Sequence, residues 1–346
     1  MVDENNFSTN AISYTLQGTN NAGNGKLIAN ITTRTGINTT NIKLGRGNFT
    51  GVLENAVHTY QMYFYFYETN TGQSNDLGKT FRAHITMEKY TPVPLNTYLL
   101  GLAGTNQGTG KVINENGYRY EGLNPNNYVR FNGNELWRII GVFDSATHGK
   151  TGQNLVKITR TTSIGTRYWN DNTNTGDWEY AGSLKDYLNG TYYNGLVSNS
   201  KNMIETITWK LGKTPTAGFN NPINVAYSSE RASGASTTSA KVGLIYPSDY
   251  LYAALVDTCN RSQILYSTYN TSGCYNQNWL FNNGAYWTIT GNLASNGQAT
   301  FVSSNGSVSS TLARNIKQNV FPVVYLKATT LKMDGTGTSA NPYIIE

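Results

Sequence analysis

Residues 128–143 read YVRFNGNELWRIIGVF. Two runs of β-branched, aromatic and aliphatic residues flank Asn132-Gly133, a dipeptide that accepts the positive φ angles of a tight hairpin turn. The stretch predicts an antiparallel hairpin, and the sequence around it extends the pattern. NLVKITRTTSI (154–164) adds a strand. SLKDYLNGTYYNGL (183–196) reads as a helix with Ser183 as its N-cap, and SKNMIETITW (200–209) opens with a second helical turn. KVGLIYPSDYLYAAL (241–255) reads as a strand broken at Pro247, after which Ser248 can cap a short helix. AYWTIT, ATFVSS and FPVVYLK close the segment as strands. LKMDGTGTSANPYIIE reads as a turn and a terminal edge strand. This is an α+β pattern with short helices and long loops.

Upstream of residue 90 the pattern is all strand. In VHTYQMYFYFYE (57–68), Tyr60, Met62, Phe64 and Phe66 fall on one face and Tyr63, Tyr65 and Tyr67 on the other. Apolar side chains on both faces predict a central strand. KTFRAHITMEK (79–89) alternates cleanly and is its expected partner across the loop TNTGQSNDLG. With AISYTLQG and KLIANITT these make a small antiparallel β-sandwich of about five strands over residues 1–90. Two prolines in YTPVPL mark residues 91–95 as a linker. The α+β domain then spans 96–346, so the chain reads as β-rich with two domains.

Composition narrows the class of function. Only 13% of the 346 residues are charged, and Gly, Asn, Thr, Ser and 25 Tyr fill the surface instead. Such a surface suits neutral partners, sugars or further copies of the chain, and offers little charge repulsion against association. The net charge is +6, but the 26 Lys and Arg are scattered and form no phosphate-binding run, which argues against nucleic acid. No apolar stretch approaches the roughly 20 residues of a membrane span. MVDENNFSTN is polar and acidic and is not a signal peptide, so an exported protein would be present here in mature or trimmed form.

Two resemblances add to this reading. NAVHTYQMYFYFYETNTGQSNDLGKTFRAHI (55–85) resembles the closing strands of camelysin-like proteins, exported β-sandwiches of bacterial matrix fibres. NNYVRFNGNELWRIIGVF, GLIYPSDY, NWL, YWTIT, FVSSNGSV and FPVVYLK resemble uncharacterised Gram-positive surface domains of the C-type-lectin-like and formylglycine-generating-enzyme-like fold. The first resemblance implies self-association into fibres, and the second a C-type-lectin-like domain without a fixed activity.

Cys259 and Cys274 are the only cysteines, fifteen residues apart, and the only histidines are His58, His84 and His148. Zinc would need four N/S ligands, or three and a water. A redox pair favours C-x-x-C, and a catalytic thiol needs a base that only His148 could supply in this segment. A disulfide needs nothing further and, since structural disulfides persist outside the reducing cytosol, it predicts an extracellular or cell-surface protein. The same scarcity removes the cysteine and iron chemistry of the formylglycine-generating relatives, so no catalytic residues are assigned. The carboxylates available for acid–base work are Glu121, Glu135, Asp177, Glu179, Asp186 and Asp249. In RYWNDNTNTGDWEY (167–180), Asn170, Asp171, Asn174 and Asp177 offer oxygens at calcium-loop intervals, although the EPN-type companion tripeptide of calcium-dependent lectins is absent. Calcium is the one cofactor considered. Trp169, Trp178, Tyr286 and Trp287 lie near predicted loops, where flat rings could stack on sugars.

The expectation is an exported bacterial surface protein, a subunit of a filament or matrix that displays a lectin-like domain. The alternatives are a monomeric glycan- or protein-binding adhesin, and a variable receptor-binding protein of phage or retroelement type.

Overall fold

The computed structural model describes residues 1–346 other than 9–10, 21–24, 48, 50–56, 68–73, 88–90, 181, 216–217 and 283. The chain divides into two compact units, Met1–Tyr90 and Thr91–Glu346. Both are rich in antiparallel sheet.

The smaller unit has strands β1 (Val2–Asn5), β2 (Ile12–Asn20), β3 (Ile31–Gly36), β4 (His58–Phe66) and β5 (Phe81–Ala83). They form a three-stranded sheet in the order β3-β2-β4 and a separate pair, β1-β5. The predicted central strand is therefore corrected. β2 is central and buried from Ile12 to Leu16, whereas β4 pairs with β2 in register Ile12↔Phe66 to Asn20↔His58 and has no other strand beside it among the described residues. Tyr63, Phe64, Phe66 and Tyr67 are about half exposed. Apolar residues on both faces of a strand signal two faces to be covered; they do not say what covers them. The expected hairpin between 57–68 and 79–89 is likewise replaced, because Phe81–Ala83 pairs with β1 and leaves Ile85 and Met87 exposed. Part of the loop between them, residues 68–73, lies outside the described residues. The core of this unit is thin, with Ile12, Tyr14 and Ile37 at its centre.

In the larger unit, eight strands form one antiparallel sheet. Its order is Val242–Gly243, Val323–Leu326, Leu155–Arg160, Glu135–Phe143, Tyr118–Asn124, Thr109–Asn114 and Asn106–Gln107, with Tyr128–Phe131 paired along Glu135–Phe143. The hairpin turns at Asn132 and Gly133, with φ of 51° and 76°, and Phe131 pairs with Glu135. A five-stranded sheet is centred on Tyr286–Gly291 and Gln298–Val302. Trp137, Ile139, Ile158, Val324 and Leu326 are fully buried in the core. Burial of such side chains contributes roughly 1.5–3 kcal/mol each.

Four local readings change. Val93–Pro94 does not remain a linker but pairs with Leu331–Lys332 at the edge of a small sheet completed by Ile344–Ile345. The helix after Pro247 is capped by Asp249, which accepts the Tyr246 N–H at 2.8 Å, and not by Ser248. Pro247 takes the first helical position, where a missing N–H costs nothing. SSERASGASTTSA (228–240) is not one exposed loop: Ala226–Glu230 is helical and Thr237–Ala240 pairs with Ile207–Lys210. Ser183 does precede the helix Leu184–Tyr187, but its hydroxyl donates to the Trp178 carbonyl instead of capping.

Candidate functional site

The loop aromatics expected at the surface are internal. Trp169, Trp178, Tyr286 and Trp287 are at most 2% exposed. Trp169 donates from Nε1 to the Thr288 carbonyl, Trp287 from Nε1 to the Arg167 carbonyl, and Trp169 and Trp178 meet edge to face at 5.1 Å. These two tryptophans come from a segment that folds onto the five-stranded sheet. Gly176 lies so close to it that a Cβ there would stand 2.3 Å from the Gln298 carbonyl. The segment is a loop, exposed at Asp171, Asn172, Asn174, Asp177 and Glu179, whose two tryptophans pack inward.

Its oxygens serve the backbone. Asn170 Oδ1 accepts from the N–H groups of Asn172 and Thr173, Asn174 Oδ1 from Arg314, and Asp177 Oδ1 from Glu179. Asp171 lies beside Gly182, and among the described residues no three His, Cys, Asp or Glu converge. The other carboxylates are individually engaged. Glu135 binds Arg160 through both oxygens, Glu179 binds Lys185, and Asp186 accepts from the Gly182 N–H. His148 is buried, donating from Nε2 to the Phe143 carbonyl and accepting the Lys150 N–H at Nδ1, and burial lowers its pKa. Cys259 and Cys274 form a disulfide with both residues buried.

A buried ionic network lies behind the eight-stranded sheet. Asp249 accepts from Arg119 Nη1 at 2.9 Å and from the fully buried Lys157. Burial raises the Asp249 pKa, but Lys157 and Arg119 outweigh it and hold the carboxyl below its ordinary value. Rings of Tyr246, Tyr325, Trp209 and Phe143 surround the Lys157 ammonium at 4.5–5.8 Å. Beside them, Glu230 pairs with Arg231 and accepts both the N–H and the hydroxyl of Ser248. Burial raises the Glu230 pKa despite these partners. Arg261 joins Glu115 to the buried Glu121. Each cation in this network faces a carboxylate.

Arg138 does not. The hairpin register sets it opposite Tyr128, and its guanidinium lies 4.2 Å from that ring and 4.5 Å from the ring of Trp279. Trp279 follows the segment closed by the disulfide and is anchored by an Nε1 bond to the Tyr120 carbonyl. Arg138 donates only to neutral acceptors: Asn127 Oδ1 at 2.7 Å, the Pro125 carbonyl, Asn124 Oδ1 and the Trp279 carbonyl. Burial lowers its pKa to about 10, and no carboxylate opposes the shift. The residue is 9% exposed and lines a cavity of about 240 Å³ with Tyr128, Arg160, Trp279, Tyr286 and Phe321 among its walls. Of the four expected ring sites, only Tyr286 reaches this cavity. Sequence reasoning missed Arg138, although one signal was available: a charged residue inside an otherwise apolar strand, opposite a tyrosine in the hairpin. Comparison of the chain with family models, curated proteins and solved structures finds no match.

Proposed function

We propose that the protein is an extracellular or cell-surface component that associates with copies of itself through the β4 edge of its smaller unit and carries a larger, C-type-lectin-like unit. The observation that carries this reading is the state of β4: nine residues long, at a sheet edge among the described strands, with Tyr63, Phe64 and Phe66 about half exposed. Long, flat apolar edges recruit further strands, and proteins that stay monomeric blunt them with charge, proline or bulges. HTYQMYFYF holds no Lys, Arg, Asp, Glu or Pro, and its pairing with β2 runs without a register shift. A strand of a second copy laid on this edge would complete the sheet by strand addition. The buried disulfide, which persists outside reducing compartments, supports an extracellular setting, and the low share of charged residues suits close self-packing. Negative-stain electron microscopy of the purified protein without reductant tests the proposal. The expected result is fibres or regular oligomers that are lost in Phe64→Lys/Phe66→Lys, whose half-exposed rings meet Phe81 and Phe7, while circular dichroism shows the smaller unit still folded. Monodisperse single particles of the unsubstituted protein at high concentration would overturn it.

A second reading, a module that binds a glycan or protein ligand, is favoured by the aromatic cavity at Arg138.

A further inference from the structure

We propose that the cavity at Arg138 binds a small carboxylate, with the guanidinium as its charged partner and the rings of Trp279, Tyr286 and Phe321 as walls for the rest of the ligand. The inference stands apart from self-association, which concerns the other unit.

Its first support is an imbalance of charge. Elsewhere this fold neutralises its buried cations: Arg119 and Lys157 share Asp249, and Arg261 holds Glu115 and Glu121. Arg138 is buried to a similar degree, yet among the described residues no carboxylate pairs with it or lines its cavity. A buried charge without a counter-ion is costly, and an incoming anion removes that cost. Glu135, the acid on the same strand, is occupied: it binds Arg160 through both oxygens at 3.0 and 3.1 Å and accepts the Trp137 indole N–H.

The second support is donor capacity. A guanidinium carries five N–H groups. The bonds of Arg138 account for the Nε–H, both Nη2–H groups and one Nη1–H, the last through a long 3.4 Å contact to the Trp279 carbonyl. One Nη1–H therefore remains to donate, and the 3.4 Å contact can give way to a stronger, charge-assisted bond.

The chemistry of the walls selects the ligand. One uncompensated positive charge matches a monoanion better than a phosphate dianion, because Arg160 is already neutralised. The aromatic walls favour a ligand with a ring or apolar face. At about 240 Å³ the cavity falls below the usual range of roughly 300–1,000 Å³ for drug-sized ligands, so it holds one residue or one sugar. A uronic acid of a glycan and the carboxyl terminus of a peptide share this chemistry.

The test is titration of the full, disulfide-intact protein with sodium glucuronate and with N-acetylalanine, followed by calorimetry and by tryptophan fluorescence. Glucose and inorganic phosphate serve as controls. Saturable binding of either carboxylate is expected, with little from the controls, and the carboxylate that binds identifies the source. Arg138→Met should abolish binding. Because that change lies in the core, Asn282→Trp provides the second variant: Asn282 is an exposed lining residue, and an indole there narrows the mouth. It should weaken binding about tenfold or more while the melting temperature holds. The proposal is overturned if neither carboxylate binds saturably, if glucose or phosphate binds equally well, or if Asn282→Trp leaves carboxylate affinity unchanged.

Discussion

Asp249 ties the helix Pro247–Leu251 to two strands of the eight-stranded sheet. It neutralises Arg119 and Lys157 and also accepts the N–H that opens the helix Pro247–Leu251. Removing one partner of a buried pair leaves a charge in the core, at a cost of about 3–5 kcal/mol. The two ends of the pair are not equivalent. Asp249→Ala strands two cations and a helix terminus, whereas Lys157→Met leaves Asp249 still bound to Arg119. Urea unfolding should therefore show Asp249→Ala to be the more damaging change by at least about 1 kcal/mol, and equal losses would refute the asymmetry. The carboxyl also sets an acid limit. Its pKa in the folded state lies below the unfolded value of about 3.9, so its contribution is present above that pH and disappears as pH falls through the folded value. An Asp249→Asn variant, already weakened at neutral pH, should lose less further stability on acidification than the unsubstituted protein. None of this was legible in the sequence, where Asp249 was one of six carboxylates with no visible partner.

Among the elements, the segment Cys259–Cys274 connects structure to the proposed site. In the chain-entropy treatment a loop of this length gains about 3 kcal/mol from closure. Both sulfurs are buried, and Trp279 follows five residues after Cys274. A Cys259→Ser/Cys274→Ser variant should melt at a clearly lower temperature. Its Trp279 emission should also shift to the red as the indole leaves its bond to the Tyr120 carbonyl, and an unshifted spectrum would show that the bridge does not hold that wall in place. The bridge could be read from the sequence because so few other ligands compete for the thiols. The hairpin at 128–143 could be read as well, since Asn132 and Gly133 take the positive φ values that the turn demands. The strand pairing of the smaller unit could not. β4 is apolar on both faces like a central strand, and only the assembled sheet shows β2 in the middle and β4 outside among the described strands.

At the scale of the whole molecule, the abundance of tyrosine sets an alkaline limit. Burial raises the phenols of Tyr246, Tyr269, Tyr286 and Tyr325, and that of Tyr252 to about 12. A folded pKa above the unfolded value of about 10 means stability that is complete below pH 10 and lost as pH rises past it. Lys157 acts in the opposite sense: burial brings it down to about 8 against the pull of Asp249, so alone it would favour the folded state increasingly between about 8 and 10.5. Several buried phenols outweigh one amine. Tyrosinate absorbance should therefore rise in two stages, exposed rings first and buried rings together with unfolding. A single smooth titration centred on pH 10 with the fold intact would contradict the burial of these rings.

The sequence by itself determined the local and compositional features: β-rich segments, the division near residue 90, the hairpin turn and the disulfide. These depend on backbone preference, alternation and a simple count of thiols. The tertiary structure alone decided which aromatics face inward, which strand forms an edge among the described residues, and that Arg138 lies in the core with no described carboxylate beside it. Burial and charge pairing depend on residues far apart in the chain, such as Lys157 and Asp249, and no local pattern encodes where such partners meet.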